Sequence, residues 1–129
     1  MTAKVFSPLM VGCMMVFGLT AAAQDTTRFE QRGKTLVERH CSRCHAIDIT
    51  GSGRHPEAPQ FRTLGTRYPI DSLAEALAEG LVTGHPDMPE FMFEVHDVGA
   101  ILAYLQSIGD KNRRRLDPLF PQLCDQVEA

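Results

Sequence analysis

Hydrophobic positions fall into four blocks with different spacing. The first, Val5 to Leu19, is an apolar run interrupted only by Ser7, Pro8, Gly12 and Gly18. In the second, Phe29, Gly33, Val37 and Cys41 follow at four-residue steps with Leu36 beside them, one stripe of a helix that runs into Cys41. Thr26 or Thr27 is placed to cap it, and Thr27-Arg28-Phe29-Glu30 has capping-box spacing. In the third, Leu73, Leu77 and Leu81 share a face after the box Ser72-Leu73-Ala74-Glu75, which predicts a helix at about 72–81, weakened at its end by Gly80. The fourth, Val98, Ile101, Leu102, Leu105 and Ile108, predicts a helix over about 96–108, with Asp97 near its start and Gly109 as its stop. No segment alternates with the period of a strand, so the expected class is all-α.

Two stretches lack a period. Residues 46–69 are punctuated by Gly51-Ser52-Gly53, Pro56, Pro59, Gly65 and Pro69 and read as irregular. That is long for a loop in a compact domain, so this segment is functional or wraps something. After Gly109 come a basic cluster (Lys111, Arg113, Arg114, Arg115), Pro118, Pro121, Cys124 and an acidic end, read as a basic, flexible tail over 109–129.

The first block changes the domain picture. Lys4, a short apolar middle and the end Thr20-Ala21-Ala22-Ala23 describe a secretory signal peptide over 1–23, cleaved after Ala23. The alternative, a retained anchor, is disfavoured by the short run and Pro8, since a span needs roughly 20 apolar residues. Met10-Val11-Gly12-Cys13 faintly resembles a lipoprotein site, but few apolar residues precede Cys13. The expected organisation is thus a leader, one domain over 24–108 and the tail. Losing Lys4 takes the formal charge from −3 to −4, which argues against nucleic acid as a partner.

Export also changes the reading of the cysteines. Of four, Cys13 leaves with the leader, and three remain, an odd number for an oxidising compartment. Cys41-Ser42-Arg43-Cys44-His45 is a C-x-x-C-H run, the attachment signature of c-type haem: two thiols reach two vinyl groups, and the next residue, His45, lies under the iron. A thioredoxin-like site would want a βαβ context, and zinc would want four ligands. The sequence offers neither, as Cys124 is solitary. His45 needs a partner for its other ring nitrogen, and Ala58-Pro59-Gln60-Phe61 is the candidate segment.

The sixth ligand has several candidates. Met88 lies 43 positions after His45 between Asp87 and Pro89, and a thioether suits haem iron. His85 is a rival and His96 a weaker one; an open site is the third possibility. His40 and His55 read as solvated surface residues. Phe61, Leu64, Leu81, Phe91, Phe93 and Leu102 are candidates for the pocket lining.

Three segments carry a resemblance over residues 27–108: Gly33-Lys34-Thr35-Leu36-Val37 leading into Cys41-Ser42-Arg43-Cys44-His45, then Gly84-His85-Pro86-Asp87-Met88-Pro89-Glu90-Phe91, and Ile101-Leu102-Ala103-Tyr104-Leu105. The chain resembles the class I c-type cytochromes, small monohaem proteins of bacterial periplasms. The resemblance implies three to four helices with long loops wrapped around one covalent haem c. It implies first and last helices that cross where Gly33 meets Tyr104, and His45 and Met88 as iron ligands. It also implies the Pro59 carbonyl on His45, and Arg67 and Tyr68 near the haem propionates. Two departures stand out: Ala58-Pro59-Gln60-Phe61 replaces the usual Gly-Pro-x-Leu, and the tail has no counterpart.

The function expected from this resemblance is periplasmic transfer of single electrons by a carrier that is not itself an enzyme. Its partners would be redox proteins: a dehydrogenase or bc1-type complex, and a terminal oxidase or reductase. It would be a monomer that meets membranes only through partners. The alternatives are a fixed cytochrome subunit of a periplasmic dehydrogenase, with the basic cluster docking a partner, and an open-site peroxidase or gas sensor. Cys124 is unassigned, either a free thiol or an intermolecular disulfide.

Overall fold

A computed structural model describes residues 17–80 and 87–117, with side-chain burial from residue 24 onward. Cys13, Leu81, His85 and Cys124, and the leader up to residue 16, lie outside the described residues. The described part is all-α and contains no strand. Three α-helices, α1 (Phe17–His40), α2 (Leu73–Glu79) and α3 (Val95–Leu116), are joined by loops that include 3₁₀ turns at Phe61–Thr66 and Ile70–Ser72.

Helix α1 lays its predicted stripe on α3. The decisive position is Gly33. A Cβ there would lie 1.9 Å from the Ala100 carbonyl oxygen and 3.0 Å from the Tyr104 Cβ, so only a residue without a side chain lets the two backbones meet this closely. One turn on, Val37 is fully buried, and one turn back the ring of Phe29 lies against Gly99. Arg32 closes the edge by donating to Asp97 at 2.6 Å. On the α3 side, Val98, Ile101, Leu102, Leu105 and Ile108 are all buried, joined by Ala100 and Tyr104. The Tyr104 hydroxyl donates to the Ile47 carbonyl at 3.1 Å and to Asp48 Oδ1 at 3.3 Å, which ties the loop after the C-x-x-C-H run to this crossing.

Four boundaries differ from the sequence reading. Helix α1 does not start at a Thr26 or Thr27 cap; it is already helical at Phe17, because Ala21-Ala22-Ala23-Gln24 are strong helix formers and nothing there interrupts the ladder. Ser72 does not cap α2: its hydroxyl donates backward to the Pro69 carbonyl at 2.6 Å, and it sits in helical geometry within a 3₁₀ turn. The stretch read as irregular over 46–69 contains the 3₁₀ helix Phe61–Thr66, which turns Phe61 and Leu64 into the core. Helix α3 does not stop at Gly109 but continues to Leu116. Lys111, Arg113, Arg114 and Arg115 are therefore helical, and cations in a last turn are favoured by the helix dipole. Lys111 approaches Glu30 at 4.0 Å, and Arg113 pairs with Asp110 at 2.8 Å.

Candidate functional site

A cleft of about 840 Å³ opens beside the α1–α3 crossing, within the range of about 300–1,000 Å³ usual for small-molecule and cofactor sites. One wall is the end of α1 and the turn after it. Cys41 and His45 continue the helical ladder, Cys41 N–H to the Val37 carbonyl and His45 N–H to the Cys41 carbonyl at 3.0 Å. This coiling puts Cys41, Cys44 and His45 side by side on the cleft, both cysteines as free, half-buried thiols. Gly53 lets the next loop fold tightly onto this turn, since a Cβ there would lie 2.6 Å from the Cys44 carbonyl oxygen.

The His45 ring is fixed. Its Nδ1 lies 2.8 Å from the Pro59 carbonyl oxygen, which can only accept, so Nδ1 carries the proton. Nε2 is left with its lone pair, the form in which imidazole binds a metal. The ring of Phe61 lies against it, centroids 4.5 Å apart. Pro59 reaches this position because the Phe61 N–H donates to the Ala46 carbonyl at 3.0 Å, pairing the loop with the residue after His45.

Met88, half-buried, lines the same cleft between Asp87 and Pro89, and the exposed Arg67 and Tyr68 line it from the 3₁₀ side. Of the apolar candidates, Phe61, Leu64, Phe91 and Phe93 face the cleft, while Leu102 is buried in the core away from it. Leu73, Leu77, Ile101 and Leu105 line it as well; their helical stripes marked them as buried but not as cleft walls.

The histidines depart furthest from the sequence reading. His40 and His55, read as solvated, both line the cleft. His40 packs edge-on against Phe91 and Phe93, at 5.7 and 5.3 Å, because its place at the end of α1 points it under the segment that returns after Met88. His55 sits 3.3 Å from Asp87. His96 is not at the cleft: it packs against Phe29 and is largely exposed. Arg39 and Arg43, on either side of Cys41, also stand at the cleft mouth. With Arg67 they have no carboxylate partner among the described residues.

The donor set discriminates between chemistries. Burial first, and the neighbouring Cys44 second, push the Cys41 thiol up to about 11. Burial thus keeps the thiol neutral, and an uncharged thioether formed from it loses nothing by burial. Among the described residues no three His, Cys, Asp or Glu groups gather as a metal cage. Two free thiols, the His45 imidazole with its tautomer fixed and Nε2 bare, one methionine and mostly apolar walls fit a large flat group held covalently at one edge.

Comparison with known proteins gives the same direction. The family profile described as Cytochrome c matches residues 30–109. Cytochrome c-552 of Bradyrhizobium diazoefficiens is 26% identical over 96 residues, 74% of this chain and 90% of that relative. No solved structure matches.

Proposed function

Since this chain belongs to the cytochrome c family, whose members transfer electrons on covalently bound haem c, we propose that it is a periplasmic carrier of single electrons, with thioethers at Cys41 and Cys44 and iron held by His45 and Met88. The observation that carries the reading is the hydrogen bond from His45 Nδ1 to the Pro59 carbonyl, which leaves Nε2 bare in a cleft that Met88 also lines.

When bound, haem supplies a one-electron Fe(III)/Fe(II) couple. The protein's own residues do the rest. Pro59 fixes the tautomer and orientation of His45 and raises its basicity. Met88 offers a soft neutral sulfur, which favours the reduced state relative to a second histidine. Phe61, Leu64, Ile101 and Leu105 exclude water and disfavour the extra positive charge of the oxidised state. Arg67 and Tyr68 supply a cation and a hydroxyl at the rim for the propionates.

Export with cleavage after Ala23 would place the carrier in the periplasm. Among the described residues no helix is long and apolar enough to cross a membrane. A monomer meeting a dehydrogenase or bc1-type complex on one side and a terminal oxidase or reductase on the other needs only small, transient contacts.

The test is the absorption spectrum of the full-length chain made with a c-type maturation system. Expected are haem that resists acid–organic extraction, sharp reduced bands, and the weak red charge-transfer band of a ferric thioether ligand, lost in Met88→Ala. Carbon monoxide binding to the ferrous wild-type protein would instead show an open site. Extractable haem would return Cys41 and Cys44 to thiol chemistry.

A further inference from the structure

His55 makes four hydrogen bonds in three directions. Its backbone N–H donates to the Cys44 carbonyl at 3.2 Å, and its carbonyl accepts from the Ala58 N–H at 3.3 Å, so its main chain is anchored to the C-x-x-C-H turn and to the Pro59 loop. The Glu57 N–H donates to its ring Nδ1 at 3.3 Å. Nδ1 therefore carries the lone pair and Nε2 the proton in the neutral ring. Nε2 lies 3.3 Å from Asp87 Oδ2, so the remaining N–H donates to the carboxylate of the residue immediately before Met88.

Among the described residues, little else that is polar holds the segment receiving this bond. Residues 87–92 make no main-chain hydrogen bond to another described residue; the next, Phe93, donates to the Leu77 carbonyl at 2.9 Å. Phe91 is packed against His40 and Phe93. Asp87 has no other charged partner among the described residues. Among the described residues, His55 is thus the polar tie between the turn that carries His45 and the segment that carries Met88, across 32 positions of sequence.

We propose that His55 is a positioning residue for Met88: a strut, braced on Cys44 and Glu57, that holds Asp87 and with it the methionine against the cleft. The inference rests on Met88 being an iron ligand. Its size is bounded by geometry. The bond is long and Asp87 is largely exposed, so the strut resembles an exposed pair more than a buried one. Loosening it should shift ligand competition at Met88 by roughly two- to five-fold.

The experiment is a titration of the ferric, haem-loaded, full-length protein with imidazole, followed by loss of the red charge-transfer band. His55→Ala and Asp87→Ala should each bind imidazole about two- to five-fold more tightly than wild type. The double variant should gain nothing beyond either single one, and His55→Gln, which keeps a donor near the Nε2 position, should return toward wild type. If His55→Ala fails to retain haem, Asp87→Ala and the wild type still form a valid pair. Wild-type affinity in both single variants, or fully additive effects in the double, would overturn the strut while Met88→Ala still raised affinity strongly. If Met88→Ala itself changed neither the band nor the affinity, the ligand assignment beneath the inference would fall instead.

Discussion

The α1–α3 crossing and the mouth of the cleft sit next to each other and are built oppositely. At the crossing, backbone meets backbone over Gly33, the surrounding side chains are buried, and the one phenol present has two acceptors. At the mouth, Arg39, Arg43 and Arg67 are exposed, with no carboxylate partner among the described residues, and loop segments such as those carrying Pro59 and Met88 face the cleft alongside helical walls. Close packing makes the crossing intolerant of added volume. The mouth has open space, so its charges add little to folding and stay available to whatever the cleft holds or meets. Stability and chemistry are thereby kept on adjoining but separate parts of a small domain.

Three stability comparisons and one titration sharpen or break this contrast. The largest effect is expected for Gly33→Val, whose side chain has no room beside the Ala100 carbonyl; a loss of about 3 kcal/mol follows from overpacking a rigid contact. Denaturant unfolding of the haem-loaded protein measures it, and a loss under about 1 kcal/mol would mean the helices separate easily. Next is Tyr104→Phe, which leaves the Ile47 carbonyl without its donor and should cost about 1–2 kcal/mol.

The same tyrosine predicts a pH dependence. Burial foremost, then the charge of Asp48 and the hydrogen bond to it, raise the Tyr104 phenol above its ordinary value near 10. The folded state therefore holds the proton longer than the unfolded one. Its contribution is complete below about pH 10 and is lost as pH rises toward the folded value. In a Tyr68→Phe background, where Tyr104 is the sole tyrosine, the phenolate absorption should appear only well above pH 10; an ordinary titration would contradict this burial. The smallest effect is expected for Arg39→Gln with Arg43→Gln, a stability change within about 0.5 kcal/mol, as for other unpaired surface positions. A larger loss by thermal unfolding would show that the mouth is part of the scaffold after all.

Local rules carried the sequence reading a long way and failed at helix ends and where a contact was distant. The stripes Phe29-Gly33-Val37 and Val98-Ile101-Leu102-Leu105-Ile108 depend on periodicity within one helix, and both face the core. Helix ends were less legible. Ser72 had the chemistry of a cap, yet its hydroxyl turned to Pro69, and Gly109 looked like a stop although good helix formers follow it. His55 was the hardest residue to read: in sequence it is one polar residue in a glycine- and proline-rich stretch, and its partner lies 32 residues away.

The sequence by itself determined the all-α class, the C-x-x-C-H turn with His45 next to its cysteines, and the haem chemistry they imply, because adjacency and helical period are properties of the chain alone. Tertiary structure decided how the Phe61–Ala46 pairing brings the Pro59 carbonyl to His45 Nδ1, that Gly33 is pressed against Ala100 as well as Tyr104, that Ile101 and Leu105 face the cleft while Leu102 does not, and that His55 reaches Asp87. These are pairings between segments far apart in sequence. They depend on how the helices pack and where the loops between them close, which no local pattern encodes.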